Sequence, residues 1–179
     1  MYTANQFTLF RVVLVPVFMA FFMIDATWAK IAAVCVFILA SITDAIDGHI
    51  ARSRNQITTF GKFADPLADK MLTTAAFIVL MYRGWMSPWA LMIVLAREFM
   101  VSGVRLADAS DGKVIAASMW GKVKTVAQMI AIIAAMLLMI IGTDTVRLVS
   151  EVLIWISVIL TVISGIDYLV KNWHLMKLK

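Results

Sequence analysis

Cysteine is nearly absent from this chain. Cys35 is the only one among 179 residues, so no intramolecular disulfide is possible. The two histidines, His49 and His174, stand too far apart in the sequence to make a zinc site. Three prolines and eight glycines leave little room for long irregular loops. No low-complexity tract, repeat or linker divides the chain, so residues 1–179 read as a single domain. Charge is scarce as well. Only 15% of the residues are charged and 63% are hydrophobic, whereas a soluble domain carries about a quarter charged and about half apolar residues. That balance excludes an ordinary soluble fold and points to a bilayer protein whose helices are apolar nearly all round.

A helix needs about 20 residues to cross the hydrocarbon core. That ruler divides the chain into six spans: 7–24, 28–54, 61–82, 88–107, 117–141 and 146–170. The short start, 1–6, is expected at the interface. The first span lacks a basic leader and a small-residue cleavage site, so it does not read as a removed signal peptide. A barrel is disfavoured, because runs such as Met129 to Ile141 are continuous rather than alternating. The expected fold class is therefore all-α, a polytopic membrane protein with six transmembrane helices. Trp85, Trp89 and Trp173 fit interfacial belts. Ser164 and Gly165 read as small packing residues in the sixth span.

The net charge of +5 suits anionic lipid or phosphate ligands and membrane orientation better than nucleic acid. Both termini, the turn between spans two and three, and the turn between four and five share one side. With the flanking helix ends they carry Arg11, Arg52, Arg54, Lys62, Lys70, Arg97, Arg105, Lys113, Lys122, Lys124, Lys171, Lys177 and Lys179, which is 13 of the 16 basic residues. Lys30, Arg83 and Arg147 fall on the other side. The positive-inside rule then puts both termini in the cytoplasm; the expected location is the inner (cytoplasmic) membrane, with the active site facing the cytoplasm.

Against this apolar background four aspartates gather where spans two and three meet. Asp44 and Asp47 are three residues apart and Asp65 and Asp69 four, so on a helix each pair shares a face. Gly48 and Ala51 follow on the face of Asp44, leaving a notch that Arg52 flanks, and Gly61 precedes Asp65 by one turn. Such charges are costly near a bilayer unless cations neutralise them. An all-oxygen cage of this kind suits a hard divalent ion, Mg²⁺ or Mn²⁺, sharing its shell with substrate phosphates, and two such ions are expected. The plainer alternative is a solvated turn with ordinary acidic residues. His49 sits off the carboxylate face.

The run Asp44, Asp47, Gly48, Ala51, Arg52, Gly61, Asp65, Asp69 follows the pattern D-x2-D-G-x2-A-R-x8-G-x3-D-x3-D at every fixed position. It resembles the signature of the CDP-alcohol phosphotransferases, a family of membrane enzymes. Asn5, Thr8 and Arg11 near the start, Arg97-Glu98-Phe99, and Gly121-Lys122-Val123-Lys124-Thr125 are similar to the branch of that family acting on glycerol phosphate. The resemblance implies CDP-diacylglycerol as donor, sn-glycerol 3-phosphate as acceptor, and phosphatidylglycerophosphate and CMP as products. It implies metal ligands at Asp44, Asp47, Asp65 and Asp69, with Asp69 as general base. Donor contacts are implied at Thr8, Asp47, Gly48, Ala51, Arg52 and Gly61, although a Thr at position 8 can equally bond its own helix. A homodimer is common among such proteins, but no residue pattern here specifies its interface.

An acceptor bearing a phosphate dianion needs cations. Arg97 and Arg105 are eight residues apart, nearly one helix face, and Lys122 and Lys124 open span five. Arg binds phosphate bidentately and Lys as a point charge. All four are candidate acceptor-phosphate ligands; as the alternative they are orientation anchors, which is the better reading for Lys113. Glu98 reads as a counter-ion for a neighbouring cation. Sister enzymes taking inositol phosphate, serine or phosphatidylglycerol share the aspartate pattern. A divalent-cation transporter is the rival from another class, but its carboxylates belong nearer the bilayer midplane on broken helices. The Asp-Asp-x-x-Asp cluster of prenyl-transferring enzymes is absent.

Overall fold

The computed structural model describes the backbone of residues 3–53, 59–110 and 119–173, and the side chains of 10–43, 70–105 and 119–173. Six helices account for nearly all of it, and no strand occurs among the described residues. They are α1 (Thr3–Met23), α2 (Thr27–Ser53), α3 (Thr59–Tyr82), α4 (Pro88–Ser110), α5 (Met119–Ile141) and α6 (Asp144–Lys171). Two of them, α5 and α6, are long and apolar enough to cross a membrane by length and composition alone. Within the described side chains α1, α2 and α3 contribute shorter apolar stretches, Phe10–Met23, Thr27–Thr43 and Lys70–Tyr82, while Arg97 and Glu98 interrupt α4.

The most extensive pairings are α5 with α6 and α1 with α2, followed by α1 with α3 and α4 with α6; α2 and α3 also touch α5. Burial follows helical spacing. Val15, Phe18 and Phe22 line one side of α1, and Ala29, Ala33, Phe37 and Ala40 one side of α2. The rings of Phe18 and Phe37 lie 5.6 Å apart, those of Phe18 and Phe22 5.7 Å. From α6, Ser150, Ser157 and Ser164 recur every seven residues, all buried. Ser157 and Thr161 donate to the carbonyls of Ile154 and Ser157, each at 2.7 Å, so their hydroxyls add no unmet polar group to the apolar contact. Large apolar side chains also face outward on every helix, among them Val13, Leu39, Ile78, Met92, Ile130 and Ile159. A bundle apolar inside and outside is built for lipid, because a soluble surface does not carry apolar patches of that extent.

Three short turns close one end. Gly84, at φ 74°, ends α3 in a Schellman motif: its N–H donates to the Met81 carbonyl at 2.9 Å, and that of Trp85 to the Leu80 carbonyl at 2.8 Å. Gly142, also at φ 74°, ends α5. Arg83 donates to the Phe22 and Met23 carbonyls at 2.9 and 2.8 Å, capping the last turn of α1, and pairs with Asp25. Arg147 donates to the Gly84 carbonyl at 2.6 Å. Two of the three basic residues assigned to this side thus tie turns together. With these turns gathered, the second half of α2, the start of α3, the second half of α4, the start of α5 and the end of α6 all lie toward the opposite end.

Candidate active site

Roughly 25 Å of helix rise separates Thr27 from Asp44, and about 20 Å separates Tyr82 from Asp69. The aspartates therefore lie far from the tied turns, on two helices that contact each other. Asp44, Asp47, Gly48, Ala51 and Arg52 fall in α2, Gly61, Asp65 and Asp69 in α3, and Thr8 in α1. The side chains of these nine lie outside the described residues. Each pair keeps the i,i+3 or i,i+4 relation on a continuous helix that the sequence anticipates. Among the described side chains no group of three or more His, Cys, Asp or Glu could hold a metal ion.

The acceptor-side candidates are described, and the helices divide them. Glu98 of α4 is the hub. Its Oε1 accepts from Lys124 Nζ of α5 and lies 3.3 Å from Arg97 Nη1. Arg97 reaches on to α6, where Nη2 donates to Ser164 Oγ at 2.7 Å. The Arg97 side chain is 11% exposed, and its buried Nε finds no partner. Arg105 lies two turns further along α4, its guanidinium 5.6 Å from the centroid of the buried Tyr168 ring. Lys124 is buried while Lys122 is exposed. Residues two apart on a helix point about 200° from each other, so only one of these lysines can join the interior face that continues through Gln128, Ala131 and Ala135. The structure thus joins Arg97 and Lys124 through Glu98, places Arg105 over the Tyr168 ring of α6, and leaves Lys122 outside the network.

Two cations counted only for orientation are also interior. Lys70, directly after Asp69 in α3, donates to Ser102 Oγ of α4, and Ser102 donates to the Glu98 carbonyl at 2.6 Å. The cationic network therefore begins one residue from the acidic pair. Arg11, on the helix that packs against α2 and α3, is 2% exposed and engaged with a partner. Register arithmetic could have found Lys70: with Tyr82 near Pro88, antiparallel α3 and α4 bring residue 70 level with about residue 100. Nothing in the sequence marked Ser164 as more than a packing residue.

An ionisable cluster among apolar helices is costly unless its members pair, and such clusters mark functional sites. This one offers a guanidinium with a spare donor and a second one over an aromatic ring, beside a lysine. Arg97, Arg105 and Lys124 outnumber the one carboxylate among them, Glu98, so the cluster carries excess positive charge next to helices bearing four aspartates.

Comparison with known proteins gives the same chemistry a family. Residues 1–163 match the CDP-alcohol phosphatidyltransferase family. A CDP-diacylglycerol–glycerol-3-phosphate 3-phosphatidyltransferase of Bacillus subtilis (strain 168) is 40% identical, covering 97% of this chain and 96% of that protein. Proteins of the same name from Rickettsia bellii (37% identical, 92% and 91% covered) and Shigella flexneri (39% identical, 90% and 90% covered) are similar over nearly the same length.

Proposed function

The chain belongs to the CDP-alcohol phosphatidyltransferase family, and from that premise we propose that its acidic α2–α3 ends and the cationic junction of α4, α5 and α6 form one active site. The protein is a membrane transferase of phospholipid biosynthesis. It moves the phosphatidyl group of CDP-diacylglycerol to sn-glycerol 3-phosphate, giving phosphatidylglycerophosphate and CMP. The observation that carries the acceptor side is Arg97: a guanidinium held in an apolar bundle with its Nε unpaired, beside Lys124 and two turns from Arg105.

In this reading all six helices, 21 to 28 residues and so about 31 to 42 Å long, cross the bilayer as one domain. The active end faces the cytoplasm, where 13 of the 16 basic residues gather. Four carboxylates with no nitrogen or sulfur donor fit Mg²⁺ or Mn²⁺, and their combined charge balances two such ions. Asp44, Asp47, Asp65 and Asp69 would hold them, and the bound ions would neutralise the donor diphosphate and the departing CMP.

The protein's own residues do the rest. Gly48, Ala51 and Gly61 let the nucleotide approach helix backbone, Arg52 and Thr8 contact the donor, and the acyl chains stay in lipid. Arg97, Arg105 and Lys124 hold the acceptor phosphate, with Lys122 at its exposed rim. This fixes the free hydroxyl for in-line attack. The hydroxyl oxygen bonds to the phosphorus that carries diacylglycerol, and the bond from that phosphorus to the bridging oxygen breaks. CMP leaves with the electron pair, and the hydroxyl proton passes to Asp69. A single displacement inverts a chiral phosphorus, whereas a covalent enzyme intermediate retains it.

The test is CMP release from CDP-diacylglycerol by pure protein in detergent with Mg²⁺. Glycerol 3-phosphate, inositol phosphate, serine and phosphatidylglycerol are offered separately. The expected result is release with glycerol 3-phosphate alone, abolished by chelation and by Asp69→Asn. Release with a different acceptor overturns the acceptor assignment, and full activity of Asp69→Asn removes it as base.

A further inference from the structure

The two arginines of α4 do not stand unsupported: both rest on a single face of α6. Ser164 Oγ accepts from Arg97 Nη2 at 2.7 Å. A Cβ added to the neighbouring Gly165 would stand 3.0 Å from Arg97 Cγ, closer than a methylene and methyl normally approach, so the aliphatic stem of Arg97 crosses α6 where the side chain is missing. One turn further, the Tyr168 ring lies 5.6 Å below the Arg105 guanidinium. Tyr168 is 2% exposed and its hydroxyl has no hydrogen-bond partner, so what its burial supplies is the ring face. Ser164 and Tyr168 are four residues apart, and Arg97 and Arg105 eight, so one turn of α6 meets two turns of α4.

We propose that Ser164, Gly165 and Tyr168 are positioning residues that set the spacing and orientation of the Arg97 and Arg105 guanidiniums, and thereby determine affinity for a phosphorylated acceptor. The reason is geometric. A guanidinium that must bind a phosphate through two parallel N–H groups has little tolerance for rotation. Arg97 carries four rotatable bonds, and without a fixed end it would fall back onto Glu98, its other partner. The Ser164 hydroxyl holds Nη2 away from Glu98 and leaves Nε directed elsewhere. The Tyr168 ring face attracts the Arg105 guanidinium above it and so restricts where its N–H groups can point. Gly165 is what allows α4 and α6 to come close enough for both. This inference rests on the acceptor-phosphate assignment of Arg97 and Arg105 made above.

Steady-state kinetics with both substrates varied, together with thermal unfolding in detergent, tests it. Ser164→Ala and Gly165→Ala should each raise the KM for glycerol 3-phosphate about tenfold, the effect of losing one charge-assisted hydrogen bond. The kcat and the KM for CDP-diacylglycerol should stay near those of the parent. Tyr168→Leu should behave alike, and Tyr168→Phe, which keeps the ring, should recover most of the loss. If the two KM values and the unfolding midpoint move together, the residues are merely structural and the proposal is overturned. It is equally overturned if Arg97→Lys raises the glycerol 3-phosphate KM while Ser164→Ala does not. An unchanged KM in Arg97→Lys sinks the acceptor assignment, and this inference with it.

Discussion

Replacing Glu98 by Gln keeps the shape of the hub and removes its charge. The carboxylate is 17% exposed, its partners Lys124 and Arg97 6% and 11%, so these are interior pairs rather than solvent-screened ones. Removing one member of a buried pair costs about 3–5 kcal/mol, because the remaining charge is left without its counter-ion. The amide oxygen still accepts a hydrogen bond, which argues for the lower end, about 3 kcal/mol. For a chain of this size that corresponds to a fall of about 6–12 °C in the unfolding midpoint. Tryptophan fluorescence on heating in detergent reads it. Adding Lys124→Met should return part of the loss, with a coupling of about 2 kcal/mol between the two positions. Glycerol 3-phosphate should raise the midpoint of Glu98→Gln more than that of the parent, since the phosphate supplies the missing negative charge. A midpoint within about 2 °C of the parent, or strictly additive single changes, would refute the hub role, because either outcome means that Lys124 and Arg97 do not depend on Glu98.

Two glycines should respond to alanine with opposite signs. Gly84→Ala forces an L side chain to φ 74° and should cost about 1–2 kcal/mol, whereas Gly103→Ala meets nothing within 4 Å inside α4 and should stabilise by up to about 1 kcal/mol; the same melting assay compares them. Arg83→Met removes two charge-assisted hydrogen bonds to the last carbonyls of α1, so a loss of about 3 kcal/mol is expected. Because Arg83 lies at the end away from the aspartates, the KM for both substrates should be unchanged at temperatures where the variant is folded.

The helices were readable because apolar runs are long and the residues that interrupt them are few. Pro88 marks the start of α4, and Gly84 and Gly142 stand just beyond α3 and α5, as helix-ending chemistry requires. The ends differ where polar residues continue a helix. α1 begins at Thr3 rather than Phe7, and α6 at Asp144, whose charge favours a helix start. A 20-residue ruler sees hydropathy and misses this. At the site, the expense of burying a charge made Arg97 legible, and its neighbour Glu98 followed as counter-ion. The distinction between Lys122 and Lys124 required the phase of α5, which the apolar residues on both of its faces obscure. Ser164 was invisible for a different reason. A hydroxyl in an apolar helix usually bonds its own backbone, as Ser157 and Thr161 do, and only the position of α4 shows that this one serves another helix.

The end closed by the Gly84 and Gly142 turns also bears on bioenergetics. Beneath those turns one contiguous apolar core draws side chains from all six helices, including Phe22, Leu80, Ala90, Met139 and Ile154. Among the described residues the polar side chains buried nearest to it are the hydroxyls of Ser150, Ser157 and Thr161, all on α6, and the last two bond their own helix backbone. In the orientation proposed above, that core stands between the charged end of the bundle and the far side of the membrane, so an ion gradient would fall across apolar packing rather than across ionisable groups. In that same orientation soluble reactants would enter and leave by one side, returning CMP to the compartment that supplies the glycerol 3-phosphate.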